Sequence, residues 1–299
     1  MSMLQRAIAL FRATRTALHI GYGLTLATIY PWLNTHLRRR ILQSWSAGLL
    51  DILNVKVLLA DDDSLHGLRH GLIVTNHISW LDVFVLNAIV PMRFVAKAEV
   101  RHWPLIGWLC TRAQTLFLER GKARDAARLN VRLAQSLRSG ECFALFPEGT
   151  TTDGSTVGHF HASLFQPAID AAATVFPVAI RYQNEQGGRS KAAAYIGEIS
   201  FGSSLWAILC TPGLHVRLLT SPLLDAKTED RRSLSRTARQ SIADALHIAD
   251  SSNLHPALTR VQYTDANLRA SSSQESTDVR TDPPTDCRIP TPAHLQPGT

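Results

Sequence analysis

From Val55 onward, short apolar runs bounded by polar breaks alternate with longer stretches of helical periodicity. That alternation confines the chain to α/β layering: a single domain with a largely parallel central sheet flanked by helices. Strands are predicted at Val55–Leu59, Leu72–Thr75, Arg93–Ala96, Thr115–Leu118, Cys142–Phe146, Thr174–Arg181, Ala193–Ile196 and His215–Leu219. Helices are predicted at Trp80–Ala88, Trp103–Cys110, Ala123–Ser139, Ser163–Ala173 and Thr228–His247, and residues 61–70 read as a polar loop.

The segment before this alternation has a different character. Leu4–Arg15 reads as a helix carrying Arg6, Arg12 and Arg15, and no formally charged residue follows until Arg38. The uncharged run is long enough to cross a bilayer. His19, two glycines, several threonines and Pro31 weaken it as a spanning helix, and a helix lying in one leaflet fits at least as well. A buried helical hairpin is the alternative. A second amphipathic helix runs from Arg38 to about Leu53, with Ile41, Leu42, Trp45, Leu49, Leu50 and Leu53 on one face. No compact apolar core with a cleavage site marks a removable leader.

The chain has 299 residues, of which 45% are hydrophobic and 18% charged, with a net charge of +7. This length supports one substantial core. Apolar surface together with positive charge suits anionic lipid headgroups, and no nucleic-acid-binding motif is present. Cys110, Cys142, Cys210 and Cys287 lie far apart without metal-ligand spacing, so they are expected to be free thiols in a reducing compartment, with no metal site and no cofactor. The organisation expected is a helical membrane-associating segment (residues 1–54), a catalytic domain (55–225), a helical extension (226–269) and a Ser/Thr/Asp/Pro-rich tail (270–299). The tail cannot bury enough apolar area to offset its chain entropy and is expected to be disordered.

Within the alternating region, GLIVTNHISWLDVFVL (residues 71–86) is a strand, a polar break and a helix entry. His77 at the strand exit, with Asp82 five positions later, can form a pair in which the carboxylate holds one imidazole nitrogen and leaves the other free to accept a proton. Ser79 and Asp82 equally fit a capping box. Taken alone, these residues leave the two readings even. TLFLERG (residues 115–121) brings Glu119 and Arg120 to a second strand end, where open α/β sheets face their ligands. Arg120 offers a planar fork for an anion, with a plain Glu119–Lys122 surface ion pair as the alternative. CFALFPEGTTTD (residues 142–153) ends a third strand in a turn rich in hydroxyls and amides, and Pro177 in VFPVAI marks a fourth strand interrupted where its neighbours need room.

In this order and at these separations, NHISWLD, FLERG, FPEGT and FPVAI resemble the four-block pattern of the glycerolipid acyltransferases, specifically the 1-acyl-sn-glycerol-3-phosphate acyltransferase family. VAKAEVRHWPLIGWL is similar to that family's connecting segment. The resemblance spans about residues 50–224. It implies that His77 and Asp82 are the catalytic pair and that Arg120, Glu148, Gly149 and Thr150 bind the acceptor; Lys97, or the nearby His159 and His161, are the substitutes for a basic phosphate partner that this sequence lacks after EGT. It implies transfer of a fatty acyl group from acyl-CoA or acyl carrier protein, as co-substrate, to the sn-2 hydroxyl of lysophosphatidic acid, on the cytoplasmic face of the inner membrane. The expected partners are the lysophospholipid acceptor, the acyl donor and membrane lipids, and nucleic acid is not among them. Where many members of the family carry a basic residue after EGT, this sequence has Thr151. That variant looks like relatives that acylate lyso-ornithine lipid, the alternative acceptor. A catalytically silent lipid-binding protein is a further alternative.

Overall fold

The computed structural model describes residues 2–59, 65, 68–119, 123–251 and 259–260. Arg120, most of the 61–70 loop, Cys287 and the expected tail lie outside the described residues.

Two helices precede the sheet. The first, α1 (Met3–Ile29), is a single helix that opens in a capping box between Ser2 and Gln5. A 3-10 turn at Tyr30–Trp32 carries Pro31 at its start, where the missing amide hydrogen costs nothing. The second helix, α2 (Thr35–Ile52), is capped by Asn34. The uncharged stretch is thus cut by the turn, and among the described residues no helix is long and apolar enough to cross a membrane. The possible spanning helix is replaced by a hairpin. It is joined by a reciprocal pair in which the Trp45 indole donates to the His19 carbonyl (3.2 Å) and the His19 ring bonds the Trp45 carbonyl (2.8 Å).

The remaining elements are β1 (Val55–Leu59), β2 (Gly71–Thr75), α3 (Asp82–Ile89), β3 (Arg93–Lys97), α4 (Ile106–Arg112), β4 (Leu116–Leu118), α5 (Ala123–Arg138), β5 (Cys142–Leu145), α6 (Gln166–Asp170), β6 (Thr174–Gln183), α7 (Phe201–Cys210), β7 (Leu214–Thr220), β8 (Leu224–Asp225), α8 (Arg231–Ser251) and β9 (Thr259–Arg260). All belong to one compact unit spanning residues 1–263. The sheet order is β4-β3-β5-β2-β6-β7-β1-β9, with β8 also on β6. From β4 to β6 every pairing is parallel, whereas β7 runs antiparallel to β6 and β1 lies parallel to β7. The largely parallel sheet expected from the alternation is therefore present, with its polarity reversed beyond β6. Each face has its own core. One gathers Leu50, Leu53, Ile73, Val85, Ile180 and Val216 beneath α2, α3 and α7, and the other gathers Leu133, Phe143, Phe165, Val175 and Ile242 beneath α5, α6 and α8.

Two expectations fail locally. Ala193–Ile196 is not a strand: this apolar run is a loop whose amides and carbonyls are used elsewhere, as the site below makes clear. Pro177 does not interrupt its strand, because β6 runs through it for ten residues. On that edge β8 pairs Thr174 and Val175, and β7 takes over from Val178. The Pro177 carbonyl accepts the Ser221 amide (3.1 Å), half of the pair that would extend the β7 ladder by one step, and the proline's missing N–H leaves the other half unmade where β6 changes partner from β8 to β7.

Candidate active site

The site lies just past the carboxyl end of β2. Asn76 is fully buried and extends the ladder with its side chain: its amide donates to the Ile180 carbonyl (3.0 Å) and its oxygen accepts the Ile180 amide (2.8 Å). This side-chain bridge on β6 releases the backbone from strand geometry, so the next residue turns out of the sheet. That residue is His77.

His77 is held from both sides by the PEGTTT segment after β5. Its amide donates to Glu148 Oε1 (2.9 Å), and its carbonyl accepts the Thr152 amide (2.8 Å). The ring lies parallel to Phe146, with centroids 3.9 Å apart and planes at 19°. Phe94 stacks behind Phe146 at 6.1 Å. Imidazole Nδ1 sits 2.8 Å from Asp82 Oδ2. The His77 side chain is 20% exposed while that of Asp82 is 0% exposed, so of the pair only the histidine is open to a substrate, and Nε2 is the ring nitrogen that Asp82 does not hold.

Asp82 is the first residue of α3, and its carboxylate contacts both the His77 ring and backbone amides. Oδ2 accepts the amides of Ile78 (2.8 Å) and Ser79 (3.0 Å) as well as the histidine, while Ser79 Oγ accepts the Leu81 amide (3.2 Å). The cap therefore runs backward to residues before the helix, and its geometry aims the carboxylate at His77. Oδ1 accepts the hydroxyl of Tyr182 (2.8 Å), which is buried in β6. Burial, and next the Asp82 charge, push the Tyr182 phenol well above its usual range, so it stays protonated and donates.

Glu148 differs from its expected role as an acceptor-binding residue. It is buried, Oε1 takes the His77 amide and Oε2 takes the Gly158 amide (3.1 Å). A Cβ at Gly158 would lie 2.7 Å from Oε2, so this approach requires glycine. Burial raises the Glu148 carboxyl, opposed by those two amide hydrogen bonds. Gly149 turns the chain at φ 66°, a conformation that favours glycine, with its amide on the Phe146 carbonyl (3.0 Å). Thr150 and Lys97 are exposed, and Lys97 ends β3 on the same sheet edge. The Thr151 hydroxyl donates to the Tyr195 carbonyl, and the Tyr195 amide donates to the Ile78 carbonyl (2.9 Å). The 193–196 run is thus a strap over the His77 loop, reinforced by the Lys191–Asp153 pair (2.8 Å). His159 and His161 are exposed, edge to face with centroids 5.6 Å apart. Among the described residues no group of three His, Cys, Asp or Glu side chains could hold a metal ion. Cys110, Cys142 and Cys210 are free thiols, and burial pushes Cys142 up to about 12.

A buried carboxylate fixing one nitrogen of a half-open imidazole is equipment for moving a proton at a hydroxyl. Comparison with known proteins agrees. The family model described as acyltransferase matches residues 57–181, which contain His77, Asp82 and Glu148 but neither Tyr182 nor the strap. A lyso-ornithine lipid O-acyltransferase of Pseudomonas aeruginosa is 38% identical over 214 residues, covering 71% of this chain and 80% of that protein. The chain belongs to the acyltransferase family. This acyltransferase is also 37% identical over 172 residues to a 1-acyl-sn-glycerol-3-phosphate acyltransferase of Neisseria meningitidis, covering 57% and 67% of the two chains. The crystal structure of the 1-acyl-sn-glycerophosphate (LPA) acyltransferase of Thermotoga maritima matches with a TM-score of 0.56 over 80% of this chain and 98% of that one. At 20% identity, that likeness concerns the fold.

Sequence reasoning had no role for Phe146, Tyr182 or Gly158. Tyr182 alternates in register with Val178 and Ile180 and so reads as core, while Gly158 carries no motif. Phe146 lies inside FPEGT, where it reads as the last apolar residue of the strand.

Proposed function

We propose that this acyltransferase transfers a fatty acyl group from acyl-CoA or acyl carrier protein to the sn-2 hydroxyl of lysophosphatidic acid, giving phosphatidic acid. The observation that carries this reading is the 2.8 Å contact between Nδ1 of a partly exposed His77 and a fully buried Asp82, which leaves Nε2 as the nitrogen not held by the carboxylate. Nε2 takes the proton of the acceptor hydroxyl as the oxygen attacks the thioester carbonyl. Asp82 holds the tautomer and stabilises the imidazolium. Collapse of the tetrahedral intermediate forms the new ester and expels the thiolate, to which the imidazolium returns the proton. The acceptor hydroxyl occupies the place of an enzyme nucleophile, so transfer is direct and needs no cofactor beyond the two substrates. Lys97, Thr150 and Arg120 are the candidates for the acceptor's headgroup.

A second reading rests on Thr151. Its hydroxyl is committed to the Tyr195 carbonyl, and the nearby Lys191 is paired with Asp153, so neither supplies a free cation for phosphate. This favours an acceptor such as lyso-ornithine lipid. Purified enzyme given labelled acyl-CoA and both lysolipids decides the matter. Labelled phosphatidic acid supports the first reading, labelled diacyl ornithine lipid moves the assignment to the second, and label in neither overturns both.

Membrane association at the cytoplasmic face is part of the same proposal. Leu4, Leu10, Phe11 and Leu18 of α1 are 59–70% exposed, and Trp32 is 79% exposed beyond its end. Arg12 of the same helix donates to the carbonyls of Thr211 (2.8 Å) and Pro212 (3.1 Å), holding α1 on the catalytic unit. Such a face suits a helix lying in the headgroup region. The paired substitution Leu4→Asp with Phe11→Asp removes about 3–6 kcal/mol of apolar insertion. It is expected to shift the enzyme out of anionic-lipid vesicles in a flotation assay without loss of helix content. Unchanged flotation would place the attachment elsewhere.

A further inference from the structure

The structure assigns Tyr182 as the residue that positions Asp82, and through it His77, for proton transfer. This rests on the reading of His77 as the base. Oδ2 of Asp82 is filled by His77 and by the amides of Ile78 and Ser79, at 2.8, 2.8 and 3.0 Å. Three donors converging on one oxygen still allow the carboxylate plane to rotate about the bond that joins it to the side chain. Tyr182 removes that freedom, because its hydroxyl holds Oδ1 at 2.8 Å from a different element, β6. With both oxygens engaged, the carboxylate points the Oδ2 lone pair at Nδ1 and nowhere else.

Tyr182 is well suited to this task. It is 1% exposed and lies near the end of β6, paired with Val216 of β7 and with its carbonyl accepting the Ser190 amide (2.9 Å), while Ile180 two residues earlier is clamped by Asn76. Its ring belongs to the core shared with Val178 and Val216, so the hydroxyl cannot swing away. The fourth sequence block thereby acquires a purpose. FPVAIRY is the strand that carries a phenol into the back of the catalytic pair, five residues beyond its proline.

The hydrogen bond also sets how much negative charge Asp82 presents. The titratable groups around it are His77, Tyr182 itself and Glu148, the last coming from the turn after β5. A donor on Oδ1 withdraws charge from the carboxylate and so weakens its support of the imidazolium. Losing that donor strengthens the support.

Tyr182→Phe retains the ring and removes only the hydroxyl. We expect kcat to fall roughly ten- to a hundredfold, as for a lost hydrogen bond to a buried charge, with KM for both substrates within about twofold. The acid limb of the pH–kcat/KM profile is expected to move to higher pH. Fluorotyrosine at position 182, a stronger donor in the same volume, should move that limb the other way. Opposite displacements are the signature of charge tuning. Packing damage alone would lower kcat in both variants without moving the limb, and that result, or wild-type kinetics in Tyr182→Phe, overturns the assignment. If His77→Ala is itself fully active, the base reading fails first. If His77→Ala is inactive and Tyr182→Phe is normal, only the role of Tyr182 fails.

Discussion

His77→Ala is expected to lower kcat by about 10²–10⁴, the range for loss of a positioned general base. Its KM values should change little, because the ring is needed for the proton and not for holding either lipid. The fold should survive. Truncation leaves Asp82 with two amides on Oδ2 and Tyr182 on Oδ1, so the carboxylate keeps three of its four donors. The loss on the folded side is confined to the stacking on Phe146 and one hydrogen bond. Circular dichroism and thermal unfolding distinguish this from collapse of the site. Full activity in a folded His77→Ala would remove the proposed mechanism.

Asp82→Asn offers a contrasting case. An amide in place of the carboxylate presents N–H groups where the surroundings already supply four donors. Turned toward Oδ2 its nitrogen meets the Ile78 and Ser79 amides, and turned toward Tyr182 it makes the phenol give up its own donation in order to accept, so stability falls together with activity. His77 and Asp82 therefore separate cleanly: one variant is expected to be inactive and stable, the other inactive and weakened.

The alternation of strands and helices was legible because the parallel strands are buried on both faces and read as continuous apolar runs. The same rule misled at Ala193–Ile196, where apolar residues lie in a loop because Ile78 and Thr151 claim its backbone. Helix α7 was missed since FGSSLWAILC has weak helical formers at its start, and only Ser200, whose hydroxyl accepts the Ser203 amide, marks its cap. The pairing of His77 with Asp82 was legible as a spacing, but the choice between base and cap was not. Which groups an aspartate at that position faces depends on β6, about a hundred residues away in sequence. Glu148 was placed on the substrate for the same reason. A local motif shows a carboxylate after a strand, and only the folded chain shows the two amides that occupy it.

Glu148→Ala should be the most damaging change that touches neither substrate. It leaves the amides of His77 and Gly158 buried without acceptors, at about 1–3 kcal/mol each, and opens a void beneath the His77 loop. The midpoint of thermal unfolding should drop by several degrees. kcat should fall by about a hundredfold, since displacing a catalytic group by about an ångström has that scale of effect. Glu148→Gln keeps the volume but has one oxygen for two amides, so it retains one bond and sets N–H against N–H at the other. Its damage should be intermediate. The charge adds a pH dependence with a definite sign. Burial raises the carboxyl above its unfolded value, so the folded state binds the proton more tightly, and this group alone makes stability fall as pH rises from the unfolded value to the folded one. The glutamine variant lacks that titration, so its stability deficit relative to the wild type should shrink across that window and stay level above it. Denaturant unfolding at a series of pH values measures the difference, and a deficit that grows with pH would mean that the buried carboxylate is stabilised by more than the two amides that hold it.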